Sequence, residues 1–401
     1  MPLLTSSALS VWQRCPRQYH YRYAVGLTPI GESPRALAFG TATHAGLEAW
    51  WNAYRDGAAQ YALSAARHAA EESYTSDDPY ARAMLSALIV AYDARWSEWA
   101  RTVEVLAVEC PFETELCHPV TGEAHPVFRL AGKIDAMVRL SDGRVALVEH
   151  KTSSQDVTAG SDYRRALTLS AQVGIYFSGA RALGISADVC VYDMLRKPSL
   201  EPLLATPEDK RLYTQPKSRA CKGCKAYHAA KKGAVAPPHT EDGVVCVDGR
   251  IVTDPGGKLY AAQRDRDESP TEYEARLCEG IIAEPDKYLL HAEIVRSDSE
   301  LADLAWDLWQ TAETIARAMD TVRQCRDVRA MVRHPSACLT HGTPCAYLPV
   351  CEGTASARDA TRYQRLDTVP CAAPATLKYL GRDLTILCER PHGHPSSHHG
   401  W

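Results

Sequence analysis

Residues 127–154, VFRLAGKIDAMVRLSDGRVALVEHKTSS, read as a β-hairpin. Ser141-Asp142-Gly143 forms a three-residue loop suited to a type I turn followed by glycine in the left-handed region. Such a loop pairs Leu140 with Arg144, and counting back sets Asp135 directly opposite Glu149. Side chains alternate across a strand, so Glu149 and Lys151 share a face and His150 takes the other. Two carboxylates and one ammonium thereby gather at one spot.

Two carboxylates facing each other destabilise a hairpin. A divalent cation between them removes that penalty, and oxygen donors favour a hard ion, Mg²⁺ or Mn²⁺. An ion held there polarises a phosphoryl oxygen and lowers the pKa of a bound water. Lys151 can position that water or neutralise charge developing on a scissile phosphate. A surface hairpin with an ordinary Lys–Glu pair carries the same three residues, so the pattern D-x₁₃-E-x-K needs its surroundings.

Outward from the hairpin, helices are predicted over residues 5–25, 41–55 and 78–104. Ser6 or Ser7 caps the first, and Leu9, Trp12 and Tyr19 give it an apolar side. Strands follow at 103–117, 126–140 and 144–151, then a helix at 163–183 and a strand at 187–196. A meander, a helix and a further strand predict an α/β fold, a mixed central sheet flanked by helices. Composition shifts at 198–270, rich in Pro, Gly and Lys, which reads as an insertion without a core of its own. Regular structure resumes with a helix near 270–283, a strand at 287–296 and a helix at 298–332. The expected division is 1–197 for the core, 198–270 for the insertion, 271–354 for the rest of the core and 355–401 for a Cys/His-rich tail.

The chain has 401 residues, 45% hydrophobic and 23% charged, enough for a sizeable core and for about two or three domains. The formal net charge of −4 means that contact with nucleic acid must come from local basic patches. No apolar run is long enough to span a bilayer. MPLLTSSALSVWQRCPRQ does not read as a signal peptide, so the expected compartment is the cytoplasm. There, the 14 cysteines are not expected to form a disulfide framework, and the clustered ones are expected to bind metal.

Gly132-Lys-Ile-Asp135 and Leu147-Val-Glu149-His150-Lys151 resemble motifs II and III of the PD-(D/E)xK nuclease superfamily, in its RecB-like branch. Gly40-Thr-Ala-Thr-His44-Ala-Gly-Leu-Glu48 resembles that branch's motif I, and Gln172-Val-Gly-Ile-Tyr176 its Q-x-x-x-Y motif. All four occur in family order across residues 40–176. The resemblance implies a restriction-endonuclease-like core whose divalent ion is held by His44, Asp135, Glu149 and the backbone carbonyl of His150. It implies that Lys151 assists the water, and that Gln172 and Tyr176 contact DNA or orient the lysine. The implied activity is phosphodiester hydrolysis, acting as an exonuclease on single-stranded DNA ends. The implied setting is recombination, repair or phage DNA metabolism, with recombination or replication proteins as partners.

Cys15 on the first helix and Cys338, Cys345 and Cys351 far downstream resemble the four cluster ligands of iron–sulfur RecB-like nucleases. These include AddB-type helicase–nucleases and CRISPR-associated adaptation nucleases, and short stand-alone versions are of phage type. The resemblance implies a [4Fe–4S] cluster fastening the two ends of the chain. A Cys₄ zinc site with the same connectivity stays open, as do merely buried cysteines.

Cys221-Lys-Gly-Cys224 is a C-x₂-C knuckle, with Cys246, His228 and His239 as the possible further zinc ligands. Lys217, Arg219, Lys222 and Lys225 around it offer a basic face for DNA phosphates. A solvated lysine-rich loop is the alternative. Cys371, Cys388, His394 and His398 have the order and spacing of a Cys₂His₂ zinc site, against a histidine-rich tail with no fixed structure. Two other functions compete with the nuclease: a catalytically silent DNA-binding or assembly factor on the same fold, and an iron–sulfur or zinc interaction module.

Overall fold

The structure, a computed structural model, describes residues 1–31, 35–214, 239–241, 244–247, 250–253, 258–340, 343–365, 374–379 and 382–387. The chain divides into two compact units. The first takes residues 1–77, 88–198 and 281–401, the second 78–87 and 199–280.

In the first unit, strand β1 (Leu3–Leu4) leads to helices α1 (Ser6–Arg14) and α2 (Pro16–Tyr19), and then to strand β2 (Leu27–Pro29). Helices α3 (Arg35–Arg55) and α4 (Ala62–Ser73) follow, with α5 (Pro79–Ala100) beginning in the second unit. The meander β3 (Glu104–Cys117), β4 (Ala124–Arg139) and β5 (Val145–Ser153) comes next. Helices α6 (Asp162–Thr168) and α7 (Ala171–Ala182) return the chain to β6 (Val189–Arg196). The second unit holds strands β7 (Tyr213–Thr214), β8 (His239–Glu241), β9 (Val244–Val247), β10 (Arg250–Thr253) and β11 (Lys258–Leu259), then helix α8 (Pro270–Ala283) as far as Gly280. Helix α9 (Pro285–Tyr288), strand β12 (Leu289–Ile294) and helix α10 (Asp298–Cys325) complete the first unit's frame.

Among the described residues the central sheet has six strands in the order β1-β4-β5-β6-β12, with β3 along the other edge of β4. The β1–β4 and β5–β6 pairs are parallel, and β3–β4, β4–β5 and β6–β12 antiparallel. This is the mixed sheet flanked by helices that the pattern predicts. One apolar cluster joins α1, α7 and α10 to the sheet through Leu9, Phe112, Ile134, Leu147, Phe177 and Leu308.

The hairpin has the expected register. Leu140 N–H donates to Arg144 O at 2.8 Å, and Gly143 takes φ +89°. The β4–β5 ladder runs from Arg139↔Val145 to Ala136↔Val148 and stops there. Farther back, the same edge of β4 pairs with β1, through Arg129 and Leu130. Asp135 therefore lies where β4 changes partners. Ile134 and Met137, three apart on β4, join the same apolar cluster, and so do Ala107 and Cys110 on β3. Regular alternation puts residues three apart on opposite faces. Both strands thus change face at one level, where Glu109 adopts the left-handed φ of +51°.

Several helices differ from expectation for local reasons. Residues 5–25 are not one helix: Pro16 lacks the N–H a continuing helix needs, so α1 stops at Arg14 and α2 restarts at Pro16. Thr5, rather than Ser6 or Ser7, caps α1, accepting from Ala8 N–H at 3.1 Å. The helix expected at 163–183 is broken before Ser170, whose hydroxyl caps α7. Helix α10 opens on a capping box of Ser297 and Glu300 and ends before Arg326, at φ +52°. In the second unit β7–β11 make a five-stranded sheet. Its apolar cluster is Ala83 and Ala87 from α5 with Tyr273 and Leu277 from α8, supplied from outside the Pro- and Gly-rich stretch. No helix among the described residues is long and apolar enough to cross a membrane.

Candidate active site

Helix α3 brings His44 to the sheet. Its Leu47, Trp50 and Trp51 are fully buried, and Trp50 Nε1 donates to Asp93 Oδ1 at 2.8 Å, which fixes the helix on α5. His44 then stands with Nδ1 3.5 Å from Asp135 Oδ1. The other Asp135 oxygen accepts from the backbone N–H of His150 at 2.8 Å. Burial works against charge on both side chains. Their mutual attraction outweighs it, raising the His44 imidazole and holding the Asp135 carboxyl well below the usual carboxylate range.

On β5, Glu149 is 3% exposed. Its Oε1 accepts from Lys151 Nζ and, at 2.7 Å, from Gln172 Nε2. Gln172 Oε1 accepts from Lys151 Nζ at 2.8 Å, and Gln172 Nε2 also donates to the Tyr176 hydroxyl at 2.8 Å. The i, i+4 spacing on α7 puts Gln172 and Tyr176 over one spot. Tyr176 can come this close because Gly132 offers no side chain: a Cβ there would lie 3.4 Å from the Tyr176 ring and 2.7 Å from Phe112. Burial, then the nearby Asp135, raises the Glu149 carboxyl. Burial lowers the Lys151 ammonium, but Glu149 outweighs it and raises its pKa, so Lys151 stays charged.

His150 faces the opposite side, as alternation requires. Its Nδ1 lies 2.8 Å from Asp193 Oδ2, and since a carboxylate only accepts, Nδ1 is the donor. The same oxygen accepts from Tyr92 OH at 2.6 Å, while Asp193 Oδ1 is 3.3 Å from His291 Nε2. His291 stacks flat on Trp96 with centroids 3.6 Å apart. Asp193 is fully buried, which opposes its charge, yet His291 and His150 hold its carboxyl below the ordinary range. Sequence reasoning missed this network. Its signal was an acid in the middle of the apolar strand Val-Cys-Val-Tyr-Asp193-Met-Leu.

Glu109 was missed too, although Ala-Val-Glu109-Cys-Pro carries the same signal. It is 7% exposed on β3. Pairing of Val108 with Ala136 and Cys110 with Ile134 sets it opposite Asp135. Donor atoms of His44, Glu109 and Asp135 lie within 4.8 Å of one another. A nitrogen and carboxylate oxygens suit Mg²⁺ or Mn²⁺. The buried Glu149 Oε2 has no hydrogen-bond partner among the described residues, which an ion would supply. The donor set therefore fits a divalent metal.

The predicted cysteines converge from the two ends of the chain. Cys15 is buried at the α1–α2 break, and Cys345 N–H donates to Cys338 O at 2.8 Å. The thiols of Cys345 and Cys351 are raised first by burial and further by those of Cys15 and Cys338. Around them Arg17 donates to Met331 O at 2.9 and 3.1 Å, Tyr347 OH donates to Leu27 O at 2.7 Å, and Tyr363–Arg365 pairs with β2. Cys246 is buried on β9, where the register sets it opposite His239. Lys217, Arg219, Cys221, Lys222, Cys224, Lys225 and His228 lie outside the described residues, as do Cys371, Cys388, His394 and His398.

A family model described as the PD-(D/E)XK nuclease superfamily matches residues 4–352. No curated protein matches the chain.

Proposed function

Because the chain belongs to the PD-(D/E)XK nuclease superfamily, we propose that it is a Mg²⁺- or Mn²⁺-dependent deoxyribonuclease of the RecB-like branch, trimming single-stranded DNA from free ends. The observation that carries this reading is the Lys151–Glu149–Gln172–Tyr176 network set beside Asp135 and His44. His44, Asp135, Glu149 and the His150 carbonyl would hold the ion, which lowers the pKa of a bound water and polarises a phosphoryl oxygen. Lys151, kept charged and oriented by Glu149 and Gln172, has one N–H left to offer the attacking water or the scissile phosphate. Lys217, Arg219, Lys222 and Lys225 would meet backbone phosphates. The setting is recombination, repair or phage DNA metabolism in the cytoplasm, alongside recombination or replication proteins.

End-labelled linear single strands and covalently closed circles, each with Mg²⁺ or Mn²⁺, test the reading. Linear DNA should be degraded and circles spared. Glu149→Ala and Lys151→Ala should each lower cleavage by about 10²-fold or more with DNA affinity little changed. Cleavage by both variants at the wild-type rate would refute it.

Cys15, Cys338, Cys345 and Cys351 are further proposed to hold a [4Fe–4S] cluster. The mutual influence of the four thiols, by which Cys15 and Cys338 raise those of Cys345 and Cys351, supports a shared site. Anaerobic purification should give a brown protein with four iron and four sulfide, both stoichiometries on the order expected for one cluster. A colourless protein with bound zinc would overturn the assignment. Zinc is also proposed at Cys221, Cys224, Cys246 and His239, and at Cys371, Cys388, His394 and His398.

A further inference from the structure

Asp135 has Glu109 across from it on β3, while Glu149 on β5 follows the last pair of the β4–β5 ladder, Ala136↔Val148. The family motifs include Glu149 and leave out Glu109. We infer that Glu109 is a metal ligand, binding a divalent cation together with His44 and Asp135 on the β3 side of the site. The inference rests on the nuclease reading of this cleft and adds a residue to it.

Three observations support this assignment. Glu109, 7% exposed, is a carboxylate taken almost wholly out of water. Lys133 supplies this buried carboxylate with one compensating charge, and a cation would add a second. The donor atoms of Glu109, His44 and Asp135 fall within 4.8 Å of one another, an arrangement no other three His, Cys, Asp or Glu residues reach among those described. The backbone also departs from its usual form here. Glu109 holds φ +51°, which glycine adopts readily and glutamate rarely, at the level where β3 and β4 both change face. Such departures cluster at ligand sites, where the surroundings hold them in place.

Lys133, two residues before Asp135 on β4, pairs with Glu109. The two possible roles of Glu109 differ in what removal of Lys133 does. If Glu109 serves only to pair with Lys133, both residues are structural and removing either has the same effect. If Glu109 is a ligand, Lys133 is a positive charge close to the cation, and its removal acts in the opposite direction. The imidazole in the set also predicts tighter binding of Mn²⁺ than of Mg²⁺.

The test is Mn²⁺ binding to the full-length protein without DNA, read by electron paramagnetic resonance and calorimetry. Glu109→Gln should weaken Mn²⁺ at least tenfold, and Lys133→Met should leave it unchanged or tighten it. Circular dichroism melts establish that each variant is folded. Wild-type affinity in Glu109→Gln, or equal weakening in Glu109→Gln and Lys133→Met, would overturn the assignment. Asp135→Asn distinguishes the role of Glu109 from that of the cleft as a whole. If it abolishes Mn²⁺ binding while Glu109→Gln does not, only the role of Glu109 fails. If neither changes binding, the nuclease reading of the cleft fails with it.

Discussion

The backbone N–H of His150 donates to the Asp135 carboxylate at 2.8 Å, at the point where the β4–β5 ladder ends. A side chain takes over there from a backbone carbonyl. The two strands can separate without stranding a buried amide. His150 is thereby held from both ends, by Asp135 through its backbone and by Asp193 through its ring.

Gln172 bridges Glu149, Lys151 and Tyr176, and so acts through its neighbours. Gln172→Ala should lower kcat about 10–100-fold, as loss of an orienting partner does around a metal site, with KM for DNA within about twofold by that same reasoning. Tyr176→Phe removes one acceptor and should be milder. Steady-state kinetics on end-labelled DNA measures both. A fall in affinity with kcat unchanged would assign Gln172 to DNA contact instead.

Asp193 is fully buried and takes contacts from Tyr92, His150 and His291. Asp193→Asn should destabilise the protein by about 3 kcal/mol, as breaking one partner out of a buried charged network does. Urea unfolding gives the number. A change below about 0.5 kcal/mol, typical of an ordinary surface substitution, would mean that the network adds little.

Arg17 closes a gap of more than three hundred residues in sequence. Its side chain donates to Met331 O at 2.9 and 3.1 Å, and its N–H to Val332 O at 3.0 Å. Arg17→Met keeps the stem and removes the charged donors, and should cost about 2 kcal/mol. Limited proteolysis should then cut faster near residues 326–334, after helix α10 ends. Unchanged cleavage there would show that other contacts fasten the two ends.

In the second unit, Glu268 accepts from Arg276 Nε and Nη2, each at 2.7 Å, and from Leu203 N–H at 2.9 Å. The Arg276 guanidinium holds its carboxyl below the ordinary value of 4.5. A depressed carboxyl adds stability that is complete above its unfolded pKa and disappears as pH falls through the folded one. Glu268→Gln should therefore be less stable than wild type by about 1–2 kcal/mol near neutral pH, and the gap should shrink below about pH 4. Thermal melts across this range measure it, and a gap that widens in acid would contradict the linkage.

The hairpin was legible because its determinants are local. A three-residue loop ending in Gly143 fixes the register, and a side-chain period of two then separates Glu149 and Lys151 from His150. The ordered motifs added His44, Gln172 and Tyr176, and the structure brings these to one place. Pro16 was also in plain view, and its break in the first helix follows from the missing N–H.

The alignments that depend on distant pairing were decided by the tertiary structure. Glu109 meets Asp135 through the β3–β4 ladder, where a face change in both strands turns an apparent core position toward His44. Asp193 finds His150, Tyr92 and His291 through a parallel pair, an antiparallel pair and a helix packed across the sheet. Local sequence fixes which residues share a face of one strand. Which strand lies alongside, and where two strands part, depends on packing of the whole sheet, and there the buried acids acquire their partners.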